Sequence, residues 1–212
     1  MYVPAQFRVD DVPTLHALIR EHSLATLVTV GPDGLVANHI PMEIDADPLP
    51  HGTLRGHVAR ANPVWHSSRR DLHALAVFVG PQTYITPSWY KTKQETGKVV
   101  PTWNYAVVHA YGPLGIVEDR AWLRNLVDRL TGAHEAGRNP RWAVTDAPDD
   151  FIDKQLGGIV GIEIPIVRLE GKWKVSQNRE PADRAGVVSG LRAAPDNVSH
   201  AMARLVANTL DQ

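Results

Sequence analysis

The stretch Ala25–Pro41, ATLVTVGPDGLVANHIP, reads as two strands around a tight turn. From Ala25 to Val30 the chain is β-branched and apolar, and Gly31–Gly34 (GPDG) places Pro and Gly where hairpin turns use them. Leu35–Ile44 is then the returning strand. Downstream, Asp45–Gly52 (DADPLPHG) is a loop and Thr53–Ala59 a third strand. Upstream, Asp10 or Asp11 caps a helix whose Val12, Leu15, Leu18 and Ile19 share one face at helical spacing.

The third strand runs into Arg60-Ala61-Asn62-Pro63. Asn is a preferred N-cap, and Pro at the first helical position has the right φ and no donor to waste, so a helix is predicted from Pro63 to about Arg70. A helix N-terminus attracts anions, and Arg can grip a phosphate with two parallel hydrogen bonds. With His57 and Arg60 just upstream, the corner reads either as a phosphate cradle or as a capped helix beside a solvated Arg.

Further on, Leu72–Val79 is almost continuously apolar and reads as a buried strand stopped by Gly80-Pro81, with Gln82–Ile85 a separate strand. Thr86–Gly97 fits neither period and reads as a loop. Val99–Tyr111 and Leu114–Val117 form a strand pair hinged at Gly112-Pro113. Asp119 caps an amphipathic helix bearing Trp122, Leu123, Leu126, Val127 and Leu130 on its apolar side. Ile159–Leu169 and Lys172–Val175 read as a hairpin around Glu170-Gly171, followed by helices at Ala182–Arg192 and Asp196–Leu210. Hairpins rather than crossovers join most strands. The expected fold class is therefore mainly β: an antiparallel sheet closing as a small barrel, with peripheral helices and a helical C-terminal tail. No GxGxxG follows the first strand, which excludes a Rossmann fold. The expected division is a barrel domain over residues 1–178 and a helical extension over 179–212.

The formal net charge is −1 and the pI about 6.8, so no global basic field holds nucleic acid. The 212-residue chain has no cysteine, which excludes disulfides, thiolate metal sites and thiol catalysis. It has neither a signal-like start nor an apolar run near the ~18 residues of a membrane span, so a soluble cytoplasmic protein without a membrane partner is expected. Asp45, Asp47 and His51, like Asp149, Asp150 and Asp153, lack metal-ligand spacing and read as loop or cap acids; no metal is expected. No nucleophile motif is present, so any chemistry would be carried by a cofactor.

Asn38, His39, Ile40 and Pro41 interrupt an apolar strand with a polar pair that suits either a heterocycle's edge or water. Period-2 alternation puts His57 and Ala59 on one face of the third strand, and small Ala59 lets a flat ring approach the backbone. TPSWY (86–90) and PTWNY (101–105) combine Trp and Tyr with polar neighbours, a composition used in ligand stacking, subunit interfaces and cores alike. Lys91, Lys93 and Lys98 flank these motifs. KVSQN (174–178) reads as a binding edge or a plain strand terminus.

Taken together, MYVPAQF (1–7), ATLVTVGPDGLVANHIP (25–41), LRGHVARANPVW (54–65), TPSWYKTKQETGKVVPTWNYAVVHAYG (86–112), GIVGIEI (158–164), LEGKWKVSQNR (169–179) and DRAGVVSGL (183–191) resemble the PaiB-like family of FMN-binding negative transcriptional regulators. That family is similar to the flavin-binding split barrels related to pyridoxamine phosphate oxidases. The resemblance implies an antiparallel split barrel, a homodimer, and FMN at each end of the dimer interface with residues from both subunits. By the same resemblance His57, Arg60 and Asn62 belong to the phosphate side, and Asn38, His39, Ile40 and Pro41, with Ala59, to the flavin ring. Trp103, Asn104 and Tyr105 are implied as pocket or interface residues. The sequence shows no Arg and Lys set like that of the pyridoxamine phosphate oxidases, which argues against their reaction. DNA is a further implied partner. Arg184, Arg192 and Arg204 of the tail could meet its phosphates, but Glu180, Asp183 and Asp196 lie among them and no basic recognition helix is evident. The alternatives are a flavin-dependent oxidoreductase and, third, haem binding with His39 or His57 as axial ligand.

Overall fold

Each strand expected around the Ala25–Pro41 turn is present in the computed structural model, which describes residues 1–210. In chain order the elements are β1 (Arg8–Val9), α1 (Val12–Glu21), β2 (Leu24–Gly31), β3 (Gly34–Asp45), β4 (Thr53–Ala59), α2 (Val64–Ser67), β5 (Ala74–Ile85), α3 (Lys91–Thr96), β6 (Thr102–Gly112), β7 (Gly115–Val117), α4 (Arg120–Glu135), α5 (Asp149–Gly157), β8 (Ile159–Pro165), β9 (Arg168–Lys174), α6 (Pro181–Ala193) and α7 (Asn197–Ala207). The strands form one nine-stranded sheet in the order β1-β9-β6-β5-β2-β3-β4-β8-β7. Its end strands, β1 and β7, are two and three residues long. Hydrogen bonding therefore leaves the sheet open where a closed barrel was expected, and the architecture is a mainly antiparallel split barrel with peripheral helices.

The chain divides into two compact units: a central one, Ile19–Phe78 with His109–Leu169, and a terminal one, Met1–Leu18, Val79–Val108 and the described residues from Glu170 onward. The expected extension 179–212 falls in the latter, its residues 211–212 lying outside the described range. β5 and β6 each run through both units.

In the central unit β2 pairs with β3 from Leu24↔Pro41 to Gly31↔Gly34, and Gly34 closes the turn at φ 116°, a conformation that favours glycine. β3 pairs with β4 in the register Met42↔Gly56, β4 with β8 from Thr53↔Pro165 to Ala59↔Ile159, and β8 with β7. This register sorts the side chains onto two faces. Ile40, Met42, Ile44, Leu54, Val58, Val160, Ile162 and Ile164 are buried on one. The other carries Glu43, Arg55, His57, Gly161 and Glu163, and α4 lies on it. A Cβ added at Gly161 would sit 2.4 Å from Trp122 Cζ3, so only glycine admits the ring there. The Asp119 carboxylate accepts from Trp122 N at 2.7 Å, the cap expected from the sequence. Leu123, Val144, Ile152 and Leu156 then close a small apolar layer between α4 and α5.

In the terminal unit α6 and α7 bury Val187, Val188, Leu191, Met202, Ala203 and Val206 against Ile85, Tyr90 and Val175. Gly190 lets α6 lie directly on Trp89, whose ring would be 2.3 Å from an added Cβ.

Three sequence expectations fail for identifiable reasons. Gly80-Pro81 does not end a strand: β5 continues to Ile85. The ladder with β2 covers only Leu75–Val77, so Pro81 lacks an N–H where no β2 partner needs one. Thr86–Gly97 contains a 3-10 turn, Pro87–Trp89, and α3, which Gly97 ends at φ 69°. Glu170-Gly171 is no turn. β9 runs through it and pairs with β1, while β8 pairs with β4 and β7. Gly171 is there because a Cβ would meet Leu15 Cδ2 at 2.2 Å and Val9 O at 2.7 Å.

Candidate cofactor site

The end of β4 and the start of α2 form the corner that the sequence marks for an anion. Asn62 ties it together: its Oδ1 accepts from Val64 N at 3.0 Å and its Nδ2 donates to Asn38 Oδ1 at 2.8 Å, linking the corner to β3. Asn62 thus takes the amide that the cradle reading left open, and α2, four residues long, contributes little dipole. Pulling Asn62 onto Asn38 leaves Asn38 Nδ2 buried and without a partner among the described residues.

Arg60 is engaged inside the unit. Its Nη1 donates to Glu118 Oε2 at 2.7 Å, its Nε to Gly157 O at 3.0 Å and its Nη2 to Ile159 O at 3.2 Å. The guanidinium also lies 5.8 Å from the Trp65 ring centroid. The Arg60 and Glu118 side chains are 41% and 55% exposed, so solvent reaches this pair and its net worth is small.

His57 is half-buried, and its Nδ1 has no partner among the described residues. Burial holds its pKa below the ordinary imidazole value, so the ring is neutral near pH 7. One step along the β3–β4 register puts Pro41 beside His57, and strand alternation places His39 and Ala59 on the same face. His39 is exposed, with Nδ1 3.2 Å from Thr26 Oγ1. Ile40 points the other way, into the core. The expected ring-side set is therefore split by the pleat: His39, Pro41, His57 and Ala59 on one face, Asn38 and Ile40 on the other.

Trp103, Asn104 and Tyr105 belong to the terminal unit, on β6. Trp103 is exposed and meets Tyr84 edge-on, with centroids 6.2 Å apart. Asn104 is buried. Its Nδ2 donates to Ser176 Oγ at 2.9 Å, and its Oδ1 has no partner among the described residues. Tyr105 lies 5.2 Å below the Lys172 ammonium. Sequence reasoning singled out Lys174 only as the start of KVSQN and passed over Lys172 on β9; their alternation within EGKWKV was the available signal.

The model of the family described as "Putative FMN-binding domain" matches residues 1–168. This chain belongs to that family. Its cofactor is FMN. Among curated relatives, an uncharacterised protein of Emericella nidulans is 34% identical over 97% of this chain and 96% of that protein. "Protease synthase and sporulation protein PAI 2" of Bacillus subtilis is 30% identical over 99% of this chain and 98% of its own length. Among solved structures, the flavocytochrome Anf3 of Azotobacter vinelandii shares the fold with a TM-score of 0.60 at 11% identity, over 79% of this chain and 69% of that one.

The residues of the corner fit such a group. A flavin ring offers carbonyl and imine acceptors and one imide donor. Asn38 Nδ2 is a donor lacking an acceptor, and His57 Nδ1 is free to play either role.

Proposed function

We propose that this chain is a homodimeric, cytoplasmic FMN-binding protein of the PaiB type acting as a negative transcriptional regulator, with the flavin held along β3, β4 and the Asn62 corner. The unpartnered Asn38 amide, fixed by Asn62, carries this reading: a buried donor without an acceptor costs about 1–3 kcal/mol, which a bound flavin oxygen removes. Asn38, tied to Asn62, would hold a polar edge of the flavin at the corner, His57, Pro41 and Ala59 are assigned to the same function from the opposite face of β3–β4, and Arg60 would exchange Glu118 for the phosphate. Trp103, Asn104 and Tyr105 are assigned to the same function as pocket or interface residues. The regulatory role draws on the Bacillus subtilis relative, whose name refers to protease synthesis and sporulation and which matches nearly end to end. A homodimer accords with apolar side chains left exposed on the β2–β3 hairpin, Leu24 and Leu35 on one face and Val36 on the other. Of the tail arginines, Arg184 is engaged by Thr209 O, which leaves Arg192 and Arg204 for an anionic partner.

His57 favours a second reading, a flavin-dependent oxidoreductase. Bound FMN supplies hydride and electron exchange. A neutral, half-buried imidazole with one free nitrogen can accept or return the accompanying proton.

The test is FMN titration of flavin-free protein, then anaerobic NADH addition, and a mobility-shift assay on the chain's own promoter across salt concentrations. Saturable FMN binding weakened by Asn38→Ala, together with a steep salt slope on DNA, supports the first reading. FMN reduction without DNA binding replaces it with the second, and failure to bind FMN overturns both.

A further inference from the structure

The terminal unit concentrates positive charge where the sequence reading found none organised. Lys172 and Lys174 occupy alternate positions on β9 and so face the same side. Lys172 is 9% exposed, donates to Tyr2 O at 3.2 Å, and has the Tyr2 and Tyr105 ring centroids 5.7 and 5.2 Å from its Nζ. Lys174 Nζ donates to Trp103 O at 2.6 Å and to Thr102 Oγ1. Arg179 lies past the strand end, its Cζ 4.7 Å from the Tyr90 ring centroid. The turn between them is bent by Ser176, a buried non-glycine residue at φ 68° whose carbonyl accepts from Arg179 N at 2.9 Å. The Ser176 hydroxyl meets Asn104, whose Oδ1 is the buried orphan described above.

The acceptors that Lys172 and Lys174 meet, Tyr2 O, Thr102 Oγ1 and Trp103 O, are all neutral. Among the described residues no carboxylate pairs with Lys172, Lys174 or Arg179. Of the nearby acids, Glu170, on the same side of β9 as Lys172, binds the N-terminal ammonium at 2.7 Å, and buried Asp183 accepts from Thr92 N at 2.9 Å. Burial, together with Lys172 and Arg179, pushes the Lys174 pKa down. Cations held together on aromatic and amide surroundings, with no direct ion pair to a carboxylate among the described residues, are arranged for an anion that arrives from outside. Up to three positive charges suit a dianion better than a carboxylate. Lysine is a point-charge phosphate binder and arginine a planar one.

We propose that Lys172, Lys174 and Arg179 form an anion site that takes a phosphate monoester. The site belongs to the terminal unit, whereas the Asn38–Asn62 corner belongs to the central one, and its phosphate affinity does not rest on the flavin reading. Two sources share the chemistry: FMN's own phosphate, and the phosphate of a second, free ester. Calorimetric titration of full-length protein with inorganic phosphate, against chloride of equal ionic strength, tests the site. Lys174→Met and Arg179→Met should each weaken phosphate about tenfold or more, and Lys174→Arg, which keeps the charge, by only about threefold. Two variants on different elements, each checked for folding by circular dichroism, guard against a single misfolded protein. Persistence of phosphate binding in FMN-saturated protein assigns the site to a free ester. Loss of phosphate binding on FMN loading, with Lys174→Met weakening FMN but not riboflavin, assigns it to the flavin phosphate. Phosphate binding no stronger than chloride, or equal in wild type and both Met variants, overturns the proposal. FMN failing to bind while phosphate still does would sink the flavin reading and leave this one standing.

Discussion

Replacing Arg60 with alanine tests whether the β4 corner receives the FMN phosphate. The guanidinium now donates to Glu118 and to two backbone carbonyls, so phosphate capture must displace Glu118. That pair is about half exposed, and exposed pairs are worth about 0.2–1 kcal/mol. A charge-assisted bond to phosphate is worth about 1.5–3 kcal/mol, so the exchange favours the ligand by roughly 1–2 kcal/mol. Arg60→Ala should therefore raise the FMN Kd about 5- to 30-fold. Glu118→Gln, which frees the guanidinium, should lower it by up to about fivefold. The opposite signs separate phosphate binding from a structural role, because both substitutions remove the same internal ion pair. Fluorescence quenching of FMN on titration into flavin-free protein at fixed ionic strength reads both, with the Tm of flavin-free samples as a folding control. An unchanged Kd in Arg60→Ala, or a weakened one in Glu118→Gln, would refute the exchange.

Two further outcomes rest on burial and close contact. The folded His57 holds its proton less readily than the unfolded chain, so the unfolded state binds the extra proton and stability falls as pH drops below about 6.5, until the folded-state pKa is passed. His57→Gln should flatten this part of the profile, read as urea midpoints at about pH 7.5 and about pH 5.5; profiles of the same slope would show that burial does not disfavour the charged ring. Gly161→Ala forces a Cβ against Trp122, a clash of the overpacking kind costing about 1–3 kcal/mol, and should lower the Tm by roughly 2–12 °C. A Trp122→Leu background should absorb most of that loss, and an equal drop in both backgrounds would place the strain elsewhere.

How far the fold was legible depended on whether a residue's signal had a single cause. β4 was bounded at Thr53–Ala59 from sequence because alternation, a loop before it and Asn-Pro after it all agreed. Asp119 was readable as a cap because an acid before an amphipathic run has few other uses. Glycine and proline are ambiguous punctuation. Gly171 looked like a turn residue but serves close packing under Leu15, and Pro81 looked like a strand stop but sits beyond the β2 ladder. Both facts are tertiary, and periodicity carries no trace of them.

The site follows the same logic one level up. The sequence marked His57, Arg60 and Asn62 correctly as neighbours of a strand-to-helix corner, because chain proximity and cap chemistry are local. It could not show that Glu118, Gly157 and Ile159 reach Arg60 from segments 58 to 99 residues away. The separation of Asn38 from His39 was legible, since neighbours on a strand face opposite sides, but the grouping of the polar residues as one ring-side set passed over it. The basic cluster was hidden for the converse reason. Lys172, Lys174 and Arg179 are unremarkable as a string, since lysines alternating on a strand are usually solvated. They become a candidate site only when β9 buries Lys172, β6 supplies Thr102, Trp103 and Asn104 beside Lys174, and Glu170 and Asp183 bond elsewhere. A charge pattern read along the chain reports how many cations are present; whether they pair directly with a carboxylate is decided by the fold. The lack of a direct ion pair to Lys172, Lys174 or Arg179 among the described residues, more than the number of basic residues, is what makes a phosphate ester a fitting occupant of this side of β9.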